Sequence, residues 1–296
     1  MKIQESVFQN KAKTWLIMLL FAVFIPTLVY IFVKALGLSI SYVWIALIFS
    51  ILTSIASYFY SDKLVLATSG AKEAKKEDYP QFYEVVRKLS EEDNLPIPKL
   101  YIIKDESMNA FATGRSPQHA VVAATTGILS KMNKVELEGV ISHELSHVKN
   151  LDIRLMTIVA ILVGFVAILS NMFTNSLIFG NRDRDEKNNL QAVFLVIGIV
   201  LAILSPLIAT LIQLAVSRKR EFLADASGAL LTKYPEGLAS ALEKLAKDTK
   251  TLRTANNATA HLYITNPFKG KDLSGLAGLF MTHPPIEERI RVLRSM

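Results

Sequence analysis

His143-Glu144-Leu145-Ser146-His147 is the stretch of this 296-residue chain best equipped for chemistry. On a helix, residues i and i+4 share a face one turn apart, so both imidazoles can reach a single metal ion. Zinc takes imidazole nitrogens at about 2.0–2.1 Å, and a catalytic site leaves one position open for water. Glu144 adjoins the first histidine, an offset that carries its carboxylate toward that water rather than the metal, where a general base belongs. His-Glu-x-x-His on a helix is a zinc-hydrolase signature, but a short one. The competing reading is an ordinary amphipathic helix with two histidines one turn apart, although the chain holds only five histidines in all.

A third ligand is available downstream. In Ser217–Ala226, Glu221 and Asp225 are again i and i+4 and present two carboxylates on one helical face. A natural division of labour puts Glu221 on zinc and leaves Asp225 to hold the second ring nitrogen of a ligand histidine. Taken alone, the pair would equally suit a solvated charged helix. The helix that carries the histidines has a start signal: Asn133 with Glu136 three positions on approximates a capping box. Val140, Ile141, Glu144 and Val148 then follow helical spacing. Asp152, just beyond, either orients His147 or caps the entry into the apolar run that follows.

Those elements lie in a chain that is 51% hydrophobic, with a mean hydropathy of +0.33, high for a soluble protein. Four uncharged apolar runs account for it: Trp15–Val33, Tyr42–Tyr60, Leu155–Phe179 and Leu190–Val216. About 20 residues cross a hydrocarbon core, so each is long enough to span; for the last two, a hairpin that only partly enters the bilayer is the alternative. None contains an Asp, Glu, Lys, Arg or His, which argues against an ion or proton transporter. Lysines and arginines cluster before the first run and after the second and fourth, so both termini and the metal site are expected on the cytoplasmic side of the plasma (inner) membrane. The net charge of +7 suits anionic headgroups, and no nucleic-acid motif accompanies it. The division that follows is a membrane hairpin over 1–60, a polar part over 61–154, a second hairpin over 155–216 and a second polar part over 217–296. The second hairpin would return the chain beside its exit point and so deliver Glu221 to His143 and His147, close to the bilayer surface. Of the remaining histidines, His119 and His261 lie outside every motif and are expected to be solvated; Arg218 and Arg220 are expected to snorkel to headgroups.

Four ordered motifs resemble a known family, the membrane-embedded zinc metalloproteases of the HtpX type, related to the CAAX prenyl endoproteases. They are Asn109-Ala110-Phe111-Ala112-Thr113-Gly114, His143–His147 with Asp152, Ser217–Ala226, and Thr282-His283-Pro284-Pro285 with Arg289. The resemblance implies a mainly α membrane protein: four transmembrane helices carrying a gluzincin-like α+β protease domain on the cytoplasmic side. It implies one zinc ion held by His143, His147 and Glu221, with Glu144 as catalytic base and Asp225 and Asp152 as outer partners. It also offers His283 and Arg289 as oxyanion donors, and Asn109, Ala110, Phe111 and Ala112 as a substrate-binding strand at the sheet edge. The implied activity is cleavage of misfolded or damaged membrane proteins. Trimming of prenylated proteins and a non-catalytic scaffold with structural zinc are the alternatives; the second is disfavoured because structural zinc sites are usually cysteine-rich and this chain has no cysteine.

Overall fold

Leu100 and Ile102 on one strand and Val122 and Ala124 on its neighbour face one core, while Ile103, Val121 and Ala123 face another. That period-two alternation, apolar on both sides, is the pattern of a sheet covered on both faces. A computed structural model describes residues 3–36, 39–164, 217–256, 258–269 and 284–296. The sheet comprises β1 (Lys72–Glu73), β2 (Lys99–Ile103), β3 (Ala110–Thr113) and β4 (Val121–Thr125), in the order β1-β2-β4-β3. β2 and β4 run parallel, and the two outer pairings are antiparallel. The charged segment around Lys72 contributes β1, because backbone pairing with Tyr101 and Ile102 does not require apolar side chains.

One face of the sheet packs against α3 (Pro80–Glu92), α5 (Lys134–Lys149) and α7 (Pro235–Lys247), through Val85, Leu89, Val140, Ile141, Leu145, Leu238 and Leu242. The short α4 (Thr126–Lys131) leads from β4 toward α5. The other face rests on the feet of α1 (Ile3–Leu36) and α2 (Ser41–Thr68), through Ile17, Phe21 and Val65, and on a helix over residues 152–164. α6 (Arg218–Thr232) and α8 (Ile286–Arg294) are the remaining α-helices among the described residues.

α1 and α2 contain the first two apolar runs and are long and apolar enough to cross a membrane. Their outward faces are bare: Trp15 is 59% and Trp44 62% exposed, which a soluble core helix would not tolerate. Between them runs a buried serine ladder on α2, Ser50, Ser54, Ser57 and Ser61, small enough to let the two backbones approach. Of the third run only 155–164 is described. It is helical, with Leu155, Ile158, Val159 and Leu162 buried in protein. The rest of that run, the whole fourth run and His283 lie outside the described residues.

α5 begins as its sequence announces. Asn133 Oδ1 accepts from the Glu136 N–H and Glu136 Oε2 from the Asn133 N–H, both at 2.9 Å, a complete capping box. α6 lies against α5 at Gly228, where an added Cβ would fall 2.9 Å from Ser142 Oγ and 3.0 Å from His143 N. Glycine there lets the helix bearing Glu221 and Asp225 sit directly over the helix bearing His143.

Candidate metal centre

α5 presents His143, Glu144 and His147 inward, and all three are buried. α6 presents Glu221 and Asp225 one turn apart, also buried, so the 74 positions between His147 and Glu221 close to contact distance. His143 Nε2 and His147 Nε2 are 3.2 Å apart. Glu221 Oε2 is 3.8 Å from the first and Oε1 3.5 Å from the second. The three donors lie within 4.8 Å of one another. Two ligands about 2.0–2.1 Å from a tetrahedral ion stand roughly 3.3 Å apart, so the spacing fits zinc.

The tautomers point the same way. Asp225 Oδ1 lies 2.8 Å from His143 Nδ1 and Asp152 Oδ2 lies 3.0 Å from His147 Nδ1. An ionised carboxylate only accepts, so each Nδ1 carries a hydrogen, and each Nε2, once free of its proton, turns a lone pair toward its fellow and toward Glu221. Lone pairs and a carboxylate converging in a buried pocket repel one another unless a proton or a metal ion sits among them. The charge balance agrees. Asp225 is matched by Arg289, with Nε–Oδ2 at 2.8 Å and Nη2–Oδ1 at 2.7 Å. Asp152 is matched by Arg220 at 3.2 Å. Glu144 and Glu221 are the carboxyls that face the two imidazoles, and Glu221 also lies 3.8 Å from Arg289 Nη1.

The protonation equilibria reflect this crowding. Burial pushes the Glu144 carboxyl above its usual range and the Glu221 charge adds to it, against both imidazoles and the Ala112 N–H. For His147, burial opposes the charged ring, but the Asp152 hydrogen bond and the Glu221 charge outweigh it and raise the ring to about 9. Burial likewise works against the Asp225 carboxylate, yet the Arg289 charge and hydrogen bonds bring it down to about 2.

The sequence-derived residues are thus brought together in part. His143, Glu144, His147, Glu221, Asp225 and Asp152 share one pocket. The chain reaches Asp152 through a turn in which Leu151 adopts φ 58°, a left-handed conformation unusual for a branched residue. Arg289 is fully buried on α8, with its guanidinium on Asp225, on the Ile264 carbonyl at 3.2 Å and 3.8 Å from Glu221. Its Nη2 also lies 3.4 Å from His143 Nδ1, and its two hydrogen bonds to Asp225 are those of a residue holding that carboxylate. Exchanging Arg289 for Gln is expected to cost about 3–5 kcal/mol, because it strands a buried carboxylate. Thermal unfolding of the variant checks this; full stability with slowed turnover would instead favour oxyanion binding.

The strand expected to hold substrate is partly engaged by the chain itself. Asn109 and Ala110 are tied to the chain's own residues: Asn109 Nδ2 donates to the Thr265 carbonyl at 3.0 Å, and Ile264 N–H to the Ala110 carbonyl at 3.0 Å. β3 is the edge strand of the sheet, as expected, and its four residues are buried. Phe111 points to the opposite face, edge-on to Tyr263 at 5.1 Å, because alternation along a strand separates it from Ala110 and Ala112. His261 is buried rather than solvated, its Nε2 3.0 Å from the Met156 carbonyl. His119 is exposed, as expected. Arg220 is not at headgroups: it is buried, with Nη1 on Asp152 and on Asn10 Oδ1 at 2.6 Å. Asn10 and Arg220 are the site residues that sequence reasoning missed, and no local pattern marks either.

Comparison with known proteins adds independent findings. Residues 76–296 match the model of Peptidase family M48. A protease HtpX homolog of Dictyoglomus thermophilum is 43% identical over 292 residues, covering 99% of this chain and 94% of that relative. Another, from Streptococcus thermophilus, is 42% identical over 307 residues, with 99% of each covered. Among solved structures, the crystal structure of S. mikatae Ste24p aligns with a TM-score of 0.51 at 17% identity, covering 95% of this chain and 67% of that one, a likeness of fold.

Proposed function

The chain belongs to Peptidase family M48 and is a metalloprotease of the HtpX type, and from that premise we propose that it is a zinc endopeptidase acting on misfolded or damaged membrane proteins. The observation that carries the metal reading is the meeting of His143 Nε2, His147 Nε2 and Glu221 in one buried cluster. His143, His147 and Glu221 hold the ion, Asp225 and Asp152 fix the imidazoles, and Glu144 handles protons. When bound there, zinc supplies Lewis acidity for water activation and for polarising the scissile carbonyl. Glu144 takes the proton of the attacking water and delivers one to the departing amine. Arg289 keeps Asp225 ionised and in place. His283 belongs to the same C-terminal motif and remains our proposal for an oxyanion donor.

The substrate lies extended along the part of β3 beyond the Ile264 contact, at Ala112, whose N–H faces Glu144. Recognition through backbone groups gives affinity with little sequence selectivity, which suits damaged proteins of varied sequence. The catalytic residues sit at the foot of α1 and α2, whose exposed apolar faces support a bilayer setting; membrane-protein substrates follow from that proximity. We keep the four-segment organisation, 1–60, 61–154, 155–216 and 217–296, with four spans and the site facing the cytoplasm, on the strength of the run lengths and basic flanks.

The test is hydrolysis by the purified full chain in detergent. Cleavage of an unfolded protein should fall about tenfold or more with a zinc chelator and return on adding zinc. Activity that persists after complete metal removal would overturn the reading. Preference for a prenylated peptide, cut near its modified end, would overturn the quality-control assignment and keep the metal mechanism.

A further inference from the structure

We propose that Asn10, near the start of α1, is a positioning residue for the metal centre, acting through Asp152 on His147. The proposal rests on the reading that His147 is a zinc ligand.

Asn10 is 2% exposed, so its amide must find partners inside the protein. Its Nδ2 donates to Asp152 Oδ1 at 2.7 Å and to the Asn150 carbonyl at 2.8 Å. Its Oδ1 accepts from Arg220 Nη1 at 2.6 Å, and the same Nη1 donates to Asp152 Oδ1 at 3.2 Å. Asp152 Oδ1 is thereby held from two sides, and Oδ2 is left for His147 Nδ1 at 3.0 Å. Only a side chain that both donates and accepts can bridge a carboxylate and a guanidinium in this way. A carboxylate at position 10 would repel Asp152; an aliphatic residue would leave Arg220 and the Asn150 carbonyl short of a partner.

The consequence reaches beyond packing. Asn10 lies within a helix fit to span a membrane, Val7–Thr27, and 142 positions from Asp152. A helix remote in sequence therefore helps fix the orientation of a ligand imidazole, and the metal centre is complete only while α1 is docked on the 150–152 turn and on α6.

The experiment measures zinc affinity of the full-length protein in detergent, by competition with a chromogenic chelator, in a Glu144→Gln background that prevents self-cleavage. Loss of an outer partner of a ligand histidine typically weakens metal binding 10–100-fold. Asn10→Ala is expected at about the lower end of that range, roughly tenfold, and Asn10→Asp at least as far. Thr14→Val is the control: buried on the same helix, Thr14 Oγ1 donates, among the described residues, to the Asn10 carbonyl at 2.8 Å, so its loss disturbs α1 without touching Asp152. It should leave affinity within about twofold. Asn10→Asp at parental affinity overturns the proposal, as does Thr14→Val weakening zinc as much as Asn10→Ala, which would make the effect one of helix packing. Should Asn10→Ala fail to fold, Asn10→Asp decides. Asp152→Asn separates the two levels: if it leaves affinity unchanged, the outer-partner role of Asp152 fails and Asn10 fails with it, while the ligand role of His147 stands. If only the Asp152 variant weakens zinc, the metal reading stands and Asn10 alone is refuted.

Discussion

Glu144→Gln is expected to retain about one zinc per chain while peptide hydrolysis falls roughly 10²–10⁴-fold, the usual contribution of a positioned general acid–base group. The expectation follows from where Glu144 sits. It neighbours both imidazoles and receives the Ala112 N–H, yet Glu221 is the carboxylate that converges with the histidines. Glutamine keeps the shape and the acceptor oxygen but cannot take a proton, so the effect should fall on kcat with KM little changed. Metal analysis beside single-turnover cleavage of an unfolded protein reads both quantities at once. Zinc loss accompanied by retained cleavage would invert the roles, making Glu144 structural and some other group the base.

The contrast between residues that could be foreseen and those that could not follows from distance along the chain. His143, Glu144 and His147 fall within one turn of helix, and Glu221 with Asp225 within another, so helical periodicity suffices to place each set on a face. The start of α5 was legible for the same reason, since a capping box spans only four residues. Asp152 was legible as a choice between two roles, and its 3.0 Å contact with His147 supports the orienting one. Asn10 and Arg220 were not legible: their partners are 142 and 68 positions away on Asp152, and an asparagine ahead of an apolar run is ordinary. Gly228 is similar, because its need for a missing Cβ exists only once α6 lies on α5. Phe111 is a different case. Strand alternation puts it opposite Ala110 and Ala112, so its turn away from the site was available from the period of two. His261 was misjudged because its surroundings, the buried 152–164 helix, look in sequence like the start of a lipid-facing span.

Glu221→Ala should weaken zinc binding by more than the 10–100-fold seen when an outer partner is lost, which corresponds to over about 2.7 kcal/mol of binding free energy. Glu221 is fully buried on the first turn of α6, where the helix dipole favours an anion, and its two oxygens reach toward both ring nitrogens. Substitution from a neighbour is not available at low cost. Asp225 is held by Arg289 and His143, and Asp152 by Asn10, Arg220 and His147; either would have to surrender hydrogen bonds of 2.7–3.2 Å to approach the ion. Asp225→Asn is the calibrating variant: it removes an outer partner along with the charge facing Arg289, leaves the three ligands in place, and should stay within about 10–100-fold. Chelator competition on the pair therefore yields an order: Glu221→Ala worst, Asp225→Asn intermediate, parent tightest. If the two variants bind zinc equally, Glu221 is no ligand. If Glu221→Ala matches the parent, the cluster of His143, His147 and Glu221 does not describe the metal centre, and the mechanism built on it falls.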